Sequence, residues 1–288
     1  MGLFDGLTGS VPVPTSRYEA VDVINLKNLN QSFDTPKGKF TLFKDFSLDI
    51  KDFSGEGQFI SILGKSGCGK SQLLKIISGL TQPDSGEVLV YGKPQTGKIP
   101  MVFQQYSSFP WMSVLDNVKL PLILRGVSDK EATERAMKMI KIVGLEGNET
   151  KWGQYPVLSG GQLQRVSMAR ALVADNKILL LDEATGALDI VMKREIQNTI
   201  LDIYYNAKFD PTILNVTHSI EEAVYLSNRI YILAPNPCKV QAVIDVNFDG
   251  RRTDAIRQTA AFANYVKQVE QVCLLYTSDA ADDLTRVD

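Results

Sequence analysis

The sequence predicts an α/β protein built around a parallel β-sheet, and three apolar segments of strand length support this class. Residues 58–63 (QFISIL) lead directly through a glycine-rich loop into a segment with one apolar helical face. Residues 178–181 (ILLL) show no polar alternation, as expected for a strand that is buried on both faces of a parallel sheet. Residues 212–217 (TILNVT) precede a segment, SIEE, that begins like a capped helix.

The composition is typical of a globular chain. Of the 288 residues, 44% are hydrophobic and 22% are charged, and the formal net charge is −2. This balance gives no support to a protein that coats nucleic acid, because such proteins are normally strongly basic. The apolar runs are strand-sized, and we therefore expect no membrane span. The three cysteines, Cys68, Cys238 and Cys273, are too few for a disulfide framework and favour a reducing compartment.

Both ends of the sequence look foreign to the fold. Residues 1–20 contain glycines and prolines without periodicity, which predicts a flexible leader and no secretory signal. Residues 273–288 begin CLLYTSDAAD and resemble the out-of-frame translation of a sequencing-library adapter. We therefore expect a non-native tail there, with an ordinary acidic tail as the alternative.

Residues 64–71 (GKSGCGKS) satisfy the phosphate-loop pattern GxxxxGK[ST]. Glycines let the backbone wrap around phosphates, and the following helix directs its positive end at the same anion. Lys70 can then reach the β- and γ-phosphates, and the Ser71 hydroxyl can ligate Mg²⁺. We expect the helix to end near Gly79 and to bury Leu73, Leu74, Ile76, Ile77 and Leu80. By itself the loop predicts only binding of a nucleoside triphosphate, and a plain glycine-rich turn is the alternative.

Two carboxylates, Asp182 and Glu183, follow the second strand at its carboxyl end, where ligands of doubly wound sheets bind. Strand alternation predicts that they point in different directions. One can hold Mg²⁺ or its water shell while the other polarises the attacking water; the alternative is a pair that caps the next element. His218, the single histidine, follows the third strand at the same edge, which favours a contact with the γ-phosphate.

Residues 158–162 (LSGGQ) begin another helix. Ser159 is a natural N-cap, and the two glycines leave backbone N–H groups uncovered at the helix start. One ATP needs one phosphate loop, so this second anion cradle indicates a site that serves the nucleotide of another subunit. A simple Ser-Gly-Gly turn is the alternative.

Taken in order, these motifs resemble those of the ATP-binding-cassette (ABC) ATPases over about residues 21–247, and LSGGQ is the most specific of them. The resemblance implies a P-loop NTPase (RecA-like) core with an N-terminal antiparallel β subdomain. It also implies an inserted α-helical subdomain at about residues 105–173. Beyond the part that the resemblance covers, we expect a C-terminal helical extension at residues 248–272.

The resemblance also implies a role for each motif residue. Glu183, His218 and Gln104 would be catalytic, and Ser71, Gln104 and Asp182 would bind Mg²⁺. Residues 186–189 (GALD) resemble the D-loop. ATP would be held by Phe33, Gly64, Lys65, Ser66, Gly67, Cys68, Gly69, Lys70, Ser71, Ser159, Gly160, Gly161 and Gln162.

Residues 109–114 (FPWMSV) and 221–226 (EEAVYL) resemble the nitrate, sulfonate and taurine importer group, whereas Ala184 and Thr185 look more like exporters. We therefore expect an ATPase subunit that powers import of a small anion. It would form a head-to-tail dimer on an integral-membrane permease, at the cytoplasmic face of the membrane, with a solute-binding protein as an indirect partner and no nucleic acid. The alternatives are an exporter ATPase, a soluble non-transport ABC ATPase and a catalytically inactive regulatory cassette.

Overall fold

The computed structural model describes residues 20–36, 38–53, 57–174, 176–186, 188–206, 210–235 and 237–283. The strands are β1 (Ala20–Thr35), β2 (Gly38–Phe53), β3 (Gln58–Gly64), β4 (Ser85–Val90), β5 (Lys93–Pro94), β6 (Met101–Val102), β7 (Ile178–Asp182), β8 (Thr212–Val216), β9 (Arg229–Ala234) and β10 (Lys239–Asp245). The helices are α1 (Lys70–Ile77), α2 (Val114–Leu124), α3 (Asp129–Ile142), α4 (Gly160–Leu172), α5 (Ile190–Asn206), α6 (Ile220–Leu226) and α7 (Ala260–Asp283), with a 3₁₀ helix at Asp254–Gln258.

Two sheets form the strand framework. A six-stranded sheet has the order β10-β9-β3-β8-β7-β6, in which all neighbours are parallel except the antiparallel edge strand β10. A four-stranded antiparallel sheet has the order β2-β1-β4-β5. The predicted α/β class, with a parallel core and an N-terminal antiparallel sheet, is confirmed.

The functional motifs follow the carboxyl-terminal ends of three central strands of the parallel sheet, β3, β7 and β8. β7 and β8 are buried along their whole length. This explains the unbroken apolar run of β7, whereas β8 also buries the polar residues Thr212 and Asn215. Asp182 at the end of β7 pairs with Val216 at the end of β8, and β8 also pairs with β3. The loops that follow these three strands therefore lie side by side.

Helices α2, α3 and α4 pack around a hydrophobic core of their own. Its fully buried members include Val118 from α2, Ala136 and Ile140 from α3, and Leu163 and Val166 from α4. α3 matches the helical spacing of residues 129–143. This separate core supports our proposed helical subdomain at residues 105–173.

The C-terminal segment packs on α6 through α7. Phe262 and Val269 of α7 are buried in a hydrophobic core that also contains residues of β3, β7, β8, β9 and α6. α7 continues without a break across residue 273, where we placed the start of the non-native tail. The proposed leader, up to residue 19, and the last residues, 284–288, lie outside the described residues. Among the helices of the described ranges, none has the length and apolar character needed to cross a bilayer.

One local expectation was wrong. Leu80 is exposed, because α1 ends at Ile77 and Gly79 adopts a left-handed φ of 74°. The chain has therefore left the helical path before residue 80. The other four apolar residues of the predicted face are buried: Leu73, Leu74, Ile76 and Ile77.

Candidate functional site

The phosphate loop joins β3 to α1 and is closed around the side chain of Lys70. Lys70 is only 5% exposed, and its Nζ donates hydrogen bonds to the backbone oxygens of Gly64 (2.8 Å) and Lys65 (3.0 Å). The ammonium group thus spans the loop and places a positive charge at its centre. Ser66 and Gly67 form the exposed outer turn of the loop.

Two glycines of this loop are required by its geometry. A Cβ on Gly64 would lie 2.6 Å from the Sγ of Cys68 and 2.9 Å from the backbone oxygen of Leu233, which is closer than atoms pack. Gly69 has a left-handed φ of 97°, and a Cβ there would meet the Leu42 side chain at 3.0 Å. Burial raises the pKa of the Cys68 thiol, which is therefore a neutral packing group.

The first pair of functional side chains joins the start of α1 to the end of β7. The Ser71 hydroxyl donates a 2.8 Å hydrogen bond to Oδ1 of Asp182. Burial raises the pKa of Asp182, the Ser71 hydrogen bond lowers it, and the net direction is upward. Hydroxyl and carboxylate oxygens of this kind are the donors that Mg²⁺ prefers, so this pair fits the ion.

The second pair joins the loops that follow β7 and β8. Oε2 of Glu183 lies 3.5 Å from Nδ1 of His218, whose side chain is 61% exposed. Glu183 has a left-handed φ of 47°, which is unusual for a residue with a side chain. Its N–H donates to Val216 O (2.9 Å), and its carbonyl accepts from Gly186 N (2.8 Å). As predicted, Asp182 and Glu183 point in different directions.

Gln104 follows β6 and is exposed. Its Nε2 lies 3.5 Å from the position that a Cβ on Gly186 would take, so it borders the turn that follows Glu183. Within the described residues it forms no hydrogen bond to Ser71 or Asp182, its predicted partners around Mg²⁺.

The LSGGQ motif forms a complete helix N-terminus on α4. The Ser159 hydroxyl accepts a hydrogen bond from Gln162 N (3.3 Å), and the Gln162 side chain accepts one from Ser159 N (2.9 Å). A Cβ on Gly160 would meet no atom within 4 Å, whereas Gly161 faces the flexible Met192 side chain. In the described part of the chain, no hydrogen bond joins this motif to the phosphate loop.

Phe33 lies on the exposed side of β1, where it pairs with Phe40 of β2. The same β2 strand carries Leu42, which packs against Gly69 of the phosphate loop. The β1–β2 ladder therefore reaches the loop at Leu42, two residues along β2 from Phe40, the pairing partner of the exposed Phe33.

Sequence reasoning missed the contacts that hold α4 against residues 103–109, on either side of Gln104. The half-buried Arg170 guanidinium donates to Ser107 O (2.7 Å) and lies 4.7 Å from the centre of the Phe109 ring. Gln164, also on α4, donates to Phe103 O (3.1 Å). The signal was available, since polar residues at positions 164, 167 and 170 recur at a spacing of three residues along α4.

Comparisons with known proteins agree with these motifs. A family model described as ABC transporter matches residues 43–186. The nitrate import ATP-binding protein NrtD of Synechocystis is 36% identical over 258 residues, which cover 86% of this chain and 94% of that protein. The chain belongs to the ABC transporter family. The taurine import ATP-binding protein TauB of Pelagibacter ubique is 34% identical over 253 residues, covering 85% and 92% of the two chains.

The solved dimeric structure of MJ0796, a bacterial ABC transporter cassette, matches with a TM-score of 0.65 and 32% identity, covering 78% of this chain and 99% of that one. A structure of the same cassette in a post-hydrolysis state bound to ADP and Pi matches equally well. The chain is thus an ABC ATPase cassette that binds nucleotide, and the predicted family, fold and ATPase activity are confirmed.

Proposed function

We propose that this ABC ATPase powers an importer of a small anion such as nitrate, a sulfonate or taurine, with Glu183 as the general base. The import part of the proposal rests on the similarity to the nitrate and taurine import ATP-binding proteins. The hydrolytic part rests on the pairing of Glu183 with His218 beside the Ser71–Asp182 pair. These two pairs flank the phosphate loop at the edge of the parallel sheet. Only one of the four side chains, His218, is strongly exposed, so the chemistry takes place in a partly enclosed site.

The phosphates of ATP would be held by residues 64–71, with the Lys70 ammonium moving from its backbone contacts to the β- and γ-phosphates. Mg²⁺, held by Ser71, Asp182 and Gln104, would neutralise charge on the phosphates. Glu183 would accept a proton from the attacking water as the new bond to the γ-phosphorus forms and the bond to the β-phosphate oxygen breaks. His218 would donate a hydrogen bond to the γ-phosphate, and Phe33 would stack on adenine.

The uncovered helix start at Ser159 and Gly160 supports a composite site. It has a complete cap and an open approach, yet no hydrogen bond to the phosphate loop of the same chain in the described residues. A second copy arranged head to tail would place this N-terminus against the γ-phosphate bound to the first copy. Gly161 and Gln162 would belong to the same surface facing the γ-phosphate.

An exposed aromatic surface within residues 105–173 supports a permease partner. Trp111 is 69% exposed and Tyr155 is 70% exposed, on two segments that are joined by a bridge between Ser113 and Trp152. Exposed aromatic groups of this size are typical of protein interfaces. We place the permease there, at the cytoplasmic face of the membrane, with a solute-binding protein on the other side.

The hydrolytic part is tested with Glu183→Gln and Lys70→Ala. We expect Glu183→Gln to bind ATP normally and to lose about 10²-fold or more in turnover, because the general base is gone. Lys70→Ala should instead weaken ATP binding, since a positive charge leaves the triphosphate site. Near-normal turnover of Glu183→Gln would show that the base lies elsewhere.

The transport part is tested by purifying the tagged chain from membranes with its bound proteins. We expect co-purification of an integral-membrane permease, its loss in the double variant Trp111→Ala/Tyr155→Ala, and no loss in Leu124→Ala, a matched exposed apolar control. Reconstituted transporter should hydrolyse ATP faster when a nitrate, sulfonate or taurine ligand is supplied with the solute-binding protein. Outward movement of solute would instead favour an exporter.

A further inference from the structure

A buried carboxylate lies behind the Glu183–His218 pair. Glu222, in the first turn of α6, is 2% exposed, and its oxygens collect four side-chain partners. A buried ionised carboxylate is costly unless it is hydrogen-bonded and paired with an opposite charge, and the partners of Glu222 provide both. The partners are Thr185 Oγ1, Gln197 Nε2 (3.1 Å), Lys193 Nζ (3.0 Å) and Asn215 Nδ2 (3.3 Å).

The hydrogen bonds of Glu222 connect the loop that carries Glu183 with the loop that carries His218. Thr185, only two residues after Glu183, donates its hydroxyl hydrogen to Oε2 of Glu222. The backbone N–H of Glu222 donates to Ser219, the cap residue directly after His218 (3.3 Å). Glu222 thus contacts the loop of Glu183 through its side chain and the loop of His218 through its backbone.

The backbone of Glu183 needs such support. A left-handed conformation is strained for a residue with a side chain and persists only where the surroundings impose it. The backbone bonds to Val216 and Gly186 fix one side of the turn. The other side is fixed by Thr185, which is buried and hydrogen-bonded to Glu222.

We propose that Glu222 is a positioning residue that acts through the Thr185 hydroxyl to hold the Glu183 carboxylate facing His218. The proposal rests on the role of Glu183 given above. Arg257 strengthens the network from the C-terminal segment, because it donates to Gln197 Oε1 (2.6 Å) and so turns the amide Nε2 of Gln197 toward Glu222.

Thr185 is the place to test this, because its removal leaves Glu222 with three other partners and therefore spares the fold. Thr185→Val keeps the shape and loses the hydrogen bond, whereas Thr185→Ser keeps the hydroxyl. We expect Thr185→Val to lower kcat at least about 10-fold, since displacement of a catalytic group by ~1 Å can cost ~10²-fold. KM for ATP and the melting temperature should change little, and Thr185→Ser should recover most of kcat.

Thr199→Val is the matched control, because Thr199 is an exposed residue of α5 whose hydroxyl donates within its own helix. An unchanged kcat in folded Thr185→Val, or an equal loss in Thr185→Ser, would overturn the proposal. If Thr185→Val does not fold, the smaller Thr185→Ala carries the same expectation. Glu183→Gln, assayed alongside, separates the positioning role from the general-base role. Normal turnover in Glu183→Gln refutes the assignment of Glu183 as the general base. Normal turnover in Thr185→Val alone refutes only the positioning role of Glu222.

Discussion

Replacing Gly160 with Ala separates the stability of the single chain from the function of the proposed dimer. The added Cβ would meet no atom within 4 Å in the chain, and the residue has an ordinary helical conformation. Ala favours a helix over Gly by up to about 1 kcal/mol. We therefore expect the melting temperature of Gly160→Ala to stay the same or to rise by up to about 4 °C.

The ATPase activity of Gly160→Ala should nevertheless fall about 10-fold or more. In the proposed dimer the backbone at Gly160 approaches the partner's γ-phosphate, and a methyl group there would push the phosphate away by ~1 Å. The assay is steady-state hydrolysis together with thermal denaturation. Gly97→Ala is the matched control, because Gly97 is also open and does not have a left-handed φ. Unchanged hydrolysis in Gly160→Ala would refute the composite site.

The remaining predictions concern the phosphate loop, the carboxylate next to it and the tail. Asp182→Asn should abolish hydrolysis yet raise the melting temperature at pH 7, because burial raises the pKa of Asp182 in the folded state and the protein therefore loses stability as the pH rises from the unfolded-state pKa to the folded-state pKa of this carboxyl. That gain should shrink as the pH falls toward about 4, and a gain that stays constant with pH would contradict the cause. Gly64→Ala should lose about 1–3 kcal/mol of unfolding free energy in urea denaturation, because its Cβ overlaps Cys68 and Leu233; a stable variant would contradict this packing. Removal of residues 275–288 should leave hydrolysis unchanged, and a lost activity would argue against a non-native tail.

The sequence predicted the parts of the site that depend on local pattern. The helix start at Lys70, the cap at Ser159 and the carboxylate at the end of β7 each follow from a few consecutive residues. The burial of β7 also followed, because its unbroken apolar run requires two covered faces.

What could not be predicted depends on contacts between distant segments. The left-handed φ of Glu183 arises because its neighbours on β8 and the Glu222 network fix the turn. In the sequence, Glu222 resembles any acidic residue in the first turn of a helix. Its burial results from the packing of α5 and α6, which no local pattern encodes. The burial of Leu80 was predicted wrongly for a related reason, since the spacing of apolar residues does not indicate where α1 ends.

The central claim is that each ATP lies between the phosphate loop of one copy and the LSGGQ motif of another. It is tested most directly by measuring the mass of Glu183→Gln by size exclusion with light scattering, with and without ATP. We predict the single-chain mass of 31.9 kDa without ATP, twice that mass with ATP, and no dimer when Gly160→Asp is added. A Glu183→Gln protein that binds ATP and remains monomeric would contradict the claim.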